Sequence, residues 1–132
     1  MRKRWFGFSW ALAFLAMSAT ADNPLDSSVR AEESLRRAVA FFCEHVANHG
    51  GYLWRYSADL SRREGEGKAT DTMVWVQPPG TPAVGLAFID AYRDTGDRYY
   101  LDAAVETAHA LVQGQLQSGG WEYHIEFDSE KR

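Results

Sequence analysis

The residues best suited to chemistry are aromatic rings set among hydrogen-bonding groups. Residues 49–60, HGGYLWRYSADL, place Tyr52, Trp54 and Tyr56 at alternate positions, with Arg55 between the last two. In an extended backbone the three rings share one side, and Leu53 and Arg55 take the other. Apolar sugar faces stack on such rings while nearby polar groups read the hydroxyls. Arg55 can clamp a carboxylate bidentately or form half of a structural ion pair, and both readings stand. In MVWVQPPGTP, two adjacent prolines bar a helix and stiffen the backbone. That segment either presents Trp75 and Gln77 in a fixed geometry or rigidly aims the helix that follows. A second Gly-Gly unit, SGGWEYHIEFDS at 118–129, adds Trp121 and His124. Trp54, Trp75 and Trp121 can equally be core plugs closing the ends of helical pairs. The candidate ligand-binding residues are therefore Trp54, Arg55, Tyr56, Trp75, Gln77, Trp121 and His124.

Other reactive types give less. Asp59, Asp71, Glu126 and Asp128 could hold a cation, but their spacing is not that of a calcium loop; a solvated acidic surface accounts for them too. His45, His49, His109 and His124 make no zinc pattern. Cys43 is the sole cysteine, so an intrachain disulfide is ruled out. Its place in a helical pattern suits core packing better than nucleophilic chemistry. Catalytic and metal-ligating residues stay unassigned.

The chain opens with Arg2, Lys3 and Arg4, then an uncharged, mostly apolar run from Trp5 to Met17, then small residues up to Ala21. That is the layout of a cleaved secretory signal, and the run is short for a membrane span. Residues 1–21 are predicted to be a signal peptide, 22–28 an exposed lead-in, and 29–132 the folded domain. Export to the periplasm or outside follows, with no stable membrane anchor. Cleavage leaves 11 of the 14 Lys and Arg against all 18 Asp and Glu, taking the formal net charge from -4 to -7. Nucleic acid is excluded as a partner, since backbone binding needs clustered positive charge. An anionic ligand would need a local basic site or a bridging cation.

Helices must position these rings. Leu35, Val39, Phe42 and Val46 recur at helical spacing, predicting a helix over 29–47 capped by Ser28 and stopped by Asn48, His49 and the glycine pair. Residues 61–72, SRREGEGKATDT, read as a mobile surface loop. Thr81 and Pro82 suit the start of a second helix over 82–94, apolar on most sides and so expected to be buried. Gly96 and Asp97 suit a stop and a new cap, followed by a third helix over 98–116. A shift of 69 residues superposes Gly50-Gly51 on Gly119-Gly120, Val39 on Ala108 and Phe42 on Leu111. This predicts a divergent repeat of helical hairpins. The fold class expected is all-α, a partial (α/α) toroid or barrel with Gly-Gly-aromatic loops. The chain stops at FDSEKR with no closing element, which points to an incomplete domain.

The stretches GGYLWRYSADLSRREGEG, WVQPPGTPAVG, DTGDRYYLDAA and GQLQSGGWEYHIEFD together resemble the N-terminal part of bacterial pectic acid lyases, polysaccharide lyase family ten, and their secreted relatives. The likeness covers about 29–132. It implies an (α/α) toroid acting on an acidic polysaccharide of polygalacturonate type. It further implies β-elimination, an arginine as base, and Ca²⁺ to offset the uronate charge in the complete protein. No residue here matches that arginine or the calcium carboxylates, so this chain is expected to be inactive alone. The alternatives are a non-catalytic glycan-binding or structural module, and a glycoside hydrolase, which would need two opposed carboxylates.

Overall fold

Residues 23–132 are described by a computed structural model; the signal sequence expected over 1–21 lies outside them. The element order is α1 (Pro24–Phe41), a π-helical turn (Phe42–Val46), β1 (Arg55–Tyr56), β2 (Arg63–Glu64), β3 (Met73–Trp75), α2 (Thr81–Thr95), α3 (Arg98–Gln113) and β4 (His124–Glu126). The strands form two separate two-stranded antiparallel sheets, β1–β2 and β3–β4. The all-α toroid is therefore corrected: the fold is mixed α/β, with three α-helices and two short sheets among the described residues.

The helices follow the apolar periodicity, with corrections at their ends. α1 starts ahead of Ser28 because Asn23 Oδ1 accepts from the Leu25 N–H at 3.2 Å, with a proline in the first turn. Asparagine is among the strongest N-caps, and proline loses no hydrogen bond there. At its far end α1 widens into the π turn, where the Ala47 N–H donates to the Phe42 carbonyl. α2 and α3 form a hairpin. Gly96 closes α2 at φ 70°, and Asp97 caps α3 by accepting from the Tyr99 N–H at 2.9 Å, as expected. Thr81 does not cap α2 as expected, because its hydroxyl is engaged elsewhere. It accepts from the Tyr52 N–H at 2.9 Å and donates to the Tyr52 carbonyl at 3.1 Å, fully buried.

Val39, Val46, Tyr52, Phe88, Ala91, Tyr100 and Ala104 make the main core. It lies between α1 and the α2–α3 hairpin, and Tyr52 is inserted from the first Gly-Gly turn. Arg36 ties α1 to the hairpin by pairing with Asp97 while its guanidinium lies 4.4 Å over the Tyr99 ring. α2 is not buried all round: Phe88 and Ala91 face the core, whereas Leu86 stays 61% exposed. One helical neighbour covers one stripe of a helix, and α2 packs chiefly on α3.

The strands arise where the sequence shows no period. β2 lies inside the segment expected to be a mobile loop. Ser57 fixes that hairpin: its N–H donates to the Arg62 carbonyl at 3.0 Å, and its hydroxyl accepts from the Arg62 N–H at 2.9 Å. Asp59 tightens the bend by accepting from the hydroxyls of Ser57 and Ser61 at 2.6 and 2.8 Å. β3 and β4 meet across a long separation, with Met73 opposite Glu126, Val74 opposite Ile125 and Trp75 opposite His124. Strand alternation turns Val74 and Ile125 inward, where both are buried. No described helix is long and apolar enough to cross a membrane.

Candidate functional site: an aromatic groove and ribbon

Trp54, Arg55 and Tyr56 line one groove of about 640 Å³, together with Phe41, Phe42 and Pro79. The end of α1 supplies the two phenylalanines, and the first Gly-Gly turn delivers the 54–56 segment. The alternation expected over 52–56 does not form. Tyr52 is 1% exposed and belongs to the core, while Arg55 shares the groove with Trp54 and Tyr56. The reason is local: only Arg55 and Tyr56 are in a strand, so the strict alternation of an extended chain does not reach Tyr52. Trp54 is held by its indole N–H, which donates to the Gln77 carbonyl at 2.9 Å. The Gln77 backbone, rather than its side chain, thus positions a candidate ring. The Tyr56 hydroxyl accepts from the Leu53 N–H at 2.7 Å, and burial raises its pKa.

Arg55 pairs with Glu64 at 2.9 Å, directly across the β1–β2 ladder. Of its two sequence readings, the structural ion pair is present. Arg55 and Tyr56 also line a smaller adjoining hollow of about 160 Å³ with Ser57, Arg62 and Glu64.

Trp75 is placed differently. It is 7% exposed, and its indole N–H is buried without a hydrogen-bond partner among the described residues. It stands edge-on to Trp54 at 5.8 Å between ring centroids and stacks on His124 at 5.3 Å. A continuous row of rings therefore runs from Trp54, through buried Trp75, to His124. On the far side, Trp121, Glu122, Tyr123 and His124 line an open hollow. Trp121 donates its indole N–H to the Leu111 carbonyl at 2.7 Å, which anchors it to the end of α3. Of the seven candidates, Trp54, Arg55 and Tyr56 come together, Trp121 and His124 come together, and Trp75 and Gln77 support the link.

The carboxylates are each engaged by neighbouring protein groups. Asp59 is capped by Ser57 and Ser61, whose hydrogen bonds lower its pKa to about 2. Asp71 is lowered by its hydrogen bond to Lys131, which donates at 2.8 Å. Burial pushes Glu126 up, but the Thr70 and Thr72 hydroxyls and the Asp128 N–H outweigh it and leave the net shift downward. Lys131 also pairs with Asp128 at 3.4 Å. Among the described residues no three His, Cys, Asp or Glu side chains are grouped to hold a metal ion. Calcium needs six to eight oxygen ligands, and this donor set does not fit it.

Phe41, Glu64, Arg62 and Tyr123 are not candidates in the sequence, and Phe42 enters there only as part of a helix's apolar stripe. One signal was available for the two phenylalanines. Adjacent helical residues point about 100° apart, so Phe41 and Phe42 cannot both enter one narrow core stripe. Both are substantially exposed at the groove. Glu64 gave no such signal, because its partner is set by the β1–β2 register. No family model matches the chain, and neither a similar curated protein nor a similar solved structure is found.

Proposed function

We propose that this chain recognises polysaccharide, with an acidic uronate polymer as its ligand, through the groove of Trp54, Arg55 and Tyr56. The carrying observation is a partly exposed indole fixed by a backbone hydrogen bond and flanked by a phenol and a guanidinium. Such rings offer flat apolar area at little entropic cost, because their rotamers are already set. The quoted stretches that resemble pectic acid lyases supply the polymer class. Elimination at a uronate needs a base and a charge-stabilising group aimed at one carbon. Among the described residues no metal-ligand cluster is present, and Arg55 is placed to pair with a carboxylate, so recognition rather than cleavage is the activity proposed for this chain. Export by a cleaved signal is part of the proposal, and N-terminal sequencing of exported protein should begin near Asp22.

Calorimetry of the whole chain with galacturonate oligomers and neutral oligosaccharides tests the reading. Binding is expected to weaken roughly tenfold in Trp54→Ala, the loss of one stacked ring. Absence of binding to every acidic and neutral glycan overturns it.

A further inference from the structure

We infer that Glu64 is a built-in competitor for the Arg55 guanidinium, and that the hollow they share selects a carboxylate-bearing ligand. The hollow is lined by Arg55, Tyr56, Ser57, Arg62 and Glu64. Two arginines and one glutamate therefore line it, a local excess of basic residues in a chain whose net charge is -4. Glu64 satisfies Arg55 alone. Arg62 is tied to Ser57 through its backbone, and its side chain makes no ion pair among the described residues. The Tyr56 hydroxyl accepts from Leu53 and keeps its own proton to donate. The Ser57 hydroxyl is committed to Asp59, whose carboxylate is itself held by Ser57 and Ser61.

The β1–β2 register sets Glu64 opposite Arg55, and both side chains are substantially exposed. An exposed pair is held weakly. A ligand carboxylate displaces Glu64 at small cost, takes over its pairing with Arg55, where two-pronged contact is open to it, and gains Arg62 as a second cation. A neutral or esterified sugar makes no such exchange. Glu64 thus sets a threshold that only a charged ligand crosses. This selectivity presupposes the glycan reading of the adjoining groove.

The whole chain, Glu64→Gln and Arg55→Gln are compared by calorimetry with a galacturonate oligomer and with the same oligomer methyl-esterified. Glu64→Gln is expected to tighten the acidic oligomer roughly two- to fivefold, the strength of one exposed pair, and to leave the ester unchanged. Arg55→Gln is expected to weaken the acidic oligomer about tenfold and the ester by clearly less. Circular dichroism confirms that each variant is folded. A Glu64→Gln variant that shifts acid and ester equally, or neither, overturns the selector role while leaving groove recognition standing. A wild-type chain that binds neither oligomer overturns both.

Discussion

The turns at Gly50-Gly51 and Gly119-Gly120 introduce similar aromatic runs but sit in opposite surroundings. At Gly50, with φ of 80°, a side chain would run into the Glu106 backbone carbonyl of α3. At Gly51 it would lie 2.8 Å from a Val74 methyl of β3. The ring that follows, Tyr52, is sealed into the core and clasped by Thr81. Gly119 also has a positive φ, of 88°, yet nothing lies within 4 Å of the added atom. The rings after it stay out, Trp121 at 43% and Tyr123 at 68% exposure. The two turns differ because of what arrives from elsewhere in the chain. α3 and β3 close over the first, while the second is held mainly by its own Leu116–Gly120 hydrogen bonds.

This contrast can be broken by substitution. Gly50→Ala is expected to cost the most, about 3 kcal/mol or more, because it combines a left-handed backbone with collision against rigid backbone. Thermal unfolding should show a drop of tens of degrees or no cooperative transition. Thr81→Val comes next, at roughly 2 kcal/mol, since it strands the buried N–H of Tyr52, whose carbonyl still accepts from the Trp75 N–H; urea unfolding measures it. Gly119→Ala should cost only about 1 kcal/mol, from backbone strain alone, and Gly120→Ala almost nothing. Equal losses at Gly50 and Gly119 would erase the distinction. Trp121→Ala and Tyr123→Ala are expected to leave the melting temperature nearly unchanged, and a large fall would place those rings in a core.

The smallest effect concerns the bend after the first turn. The folded pKa of Asp59 is depressed to about 2. Its contribution to stability is therefore complete above the unfolded value near 4 and is lost as pH falls toward 2. Carboxyl titration by NMR should show Asp59 still ionised at about pH 3, and an ordinary carboxylate midpoint would refute the capped bend.

The sequence disclosed the parts that depend on neighbours a few residues away. The three helices and the Gly96–Asp97 junction follow from short-range rules, whereas Arg55, expected on the side away from Trp54 and Tyr56, lines the same groove. It did not disclose the sheets. Val74 and Ile125 each sit in a strand of three residues, too short to display alternation, and each depends on a partner far along the chain. The apparent repeat misled for the same reason: similar local words were completed by different distant surfaces. Trp75 could be read as platform or plug, and distant neighbours place it inside: His124 stacked on its ring, Trp54 edge-on and Gly65 packed against it.

The β3–β4 ladder gives the molecule a history as well as a shape. β1 and β2 are joined by residues 57–62, so their hairpin can close within microseconds of the chain becoming free. β3 and β4 are separated by residues 76–123, including the whole α2–α3 hairpin, and must await its collapse. The β1–β2 wall of the groove is thus expected to form early, and the row of rings linking it to the second hollow to be completed last. In stopped-flow refolding, quenching of Trp75 by the arriving His124 should lag behind the gain of helical signal. That single indole is then a clock for the moment the two halves of the surface become one.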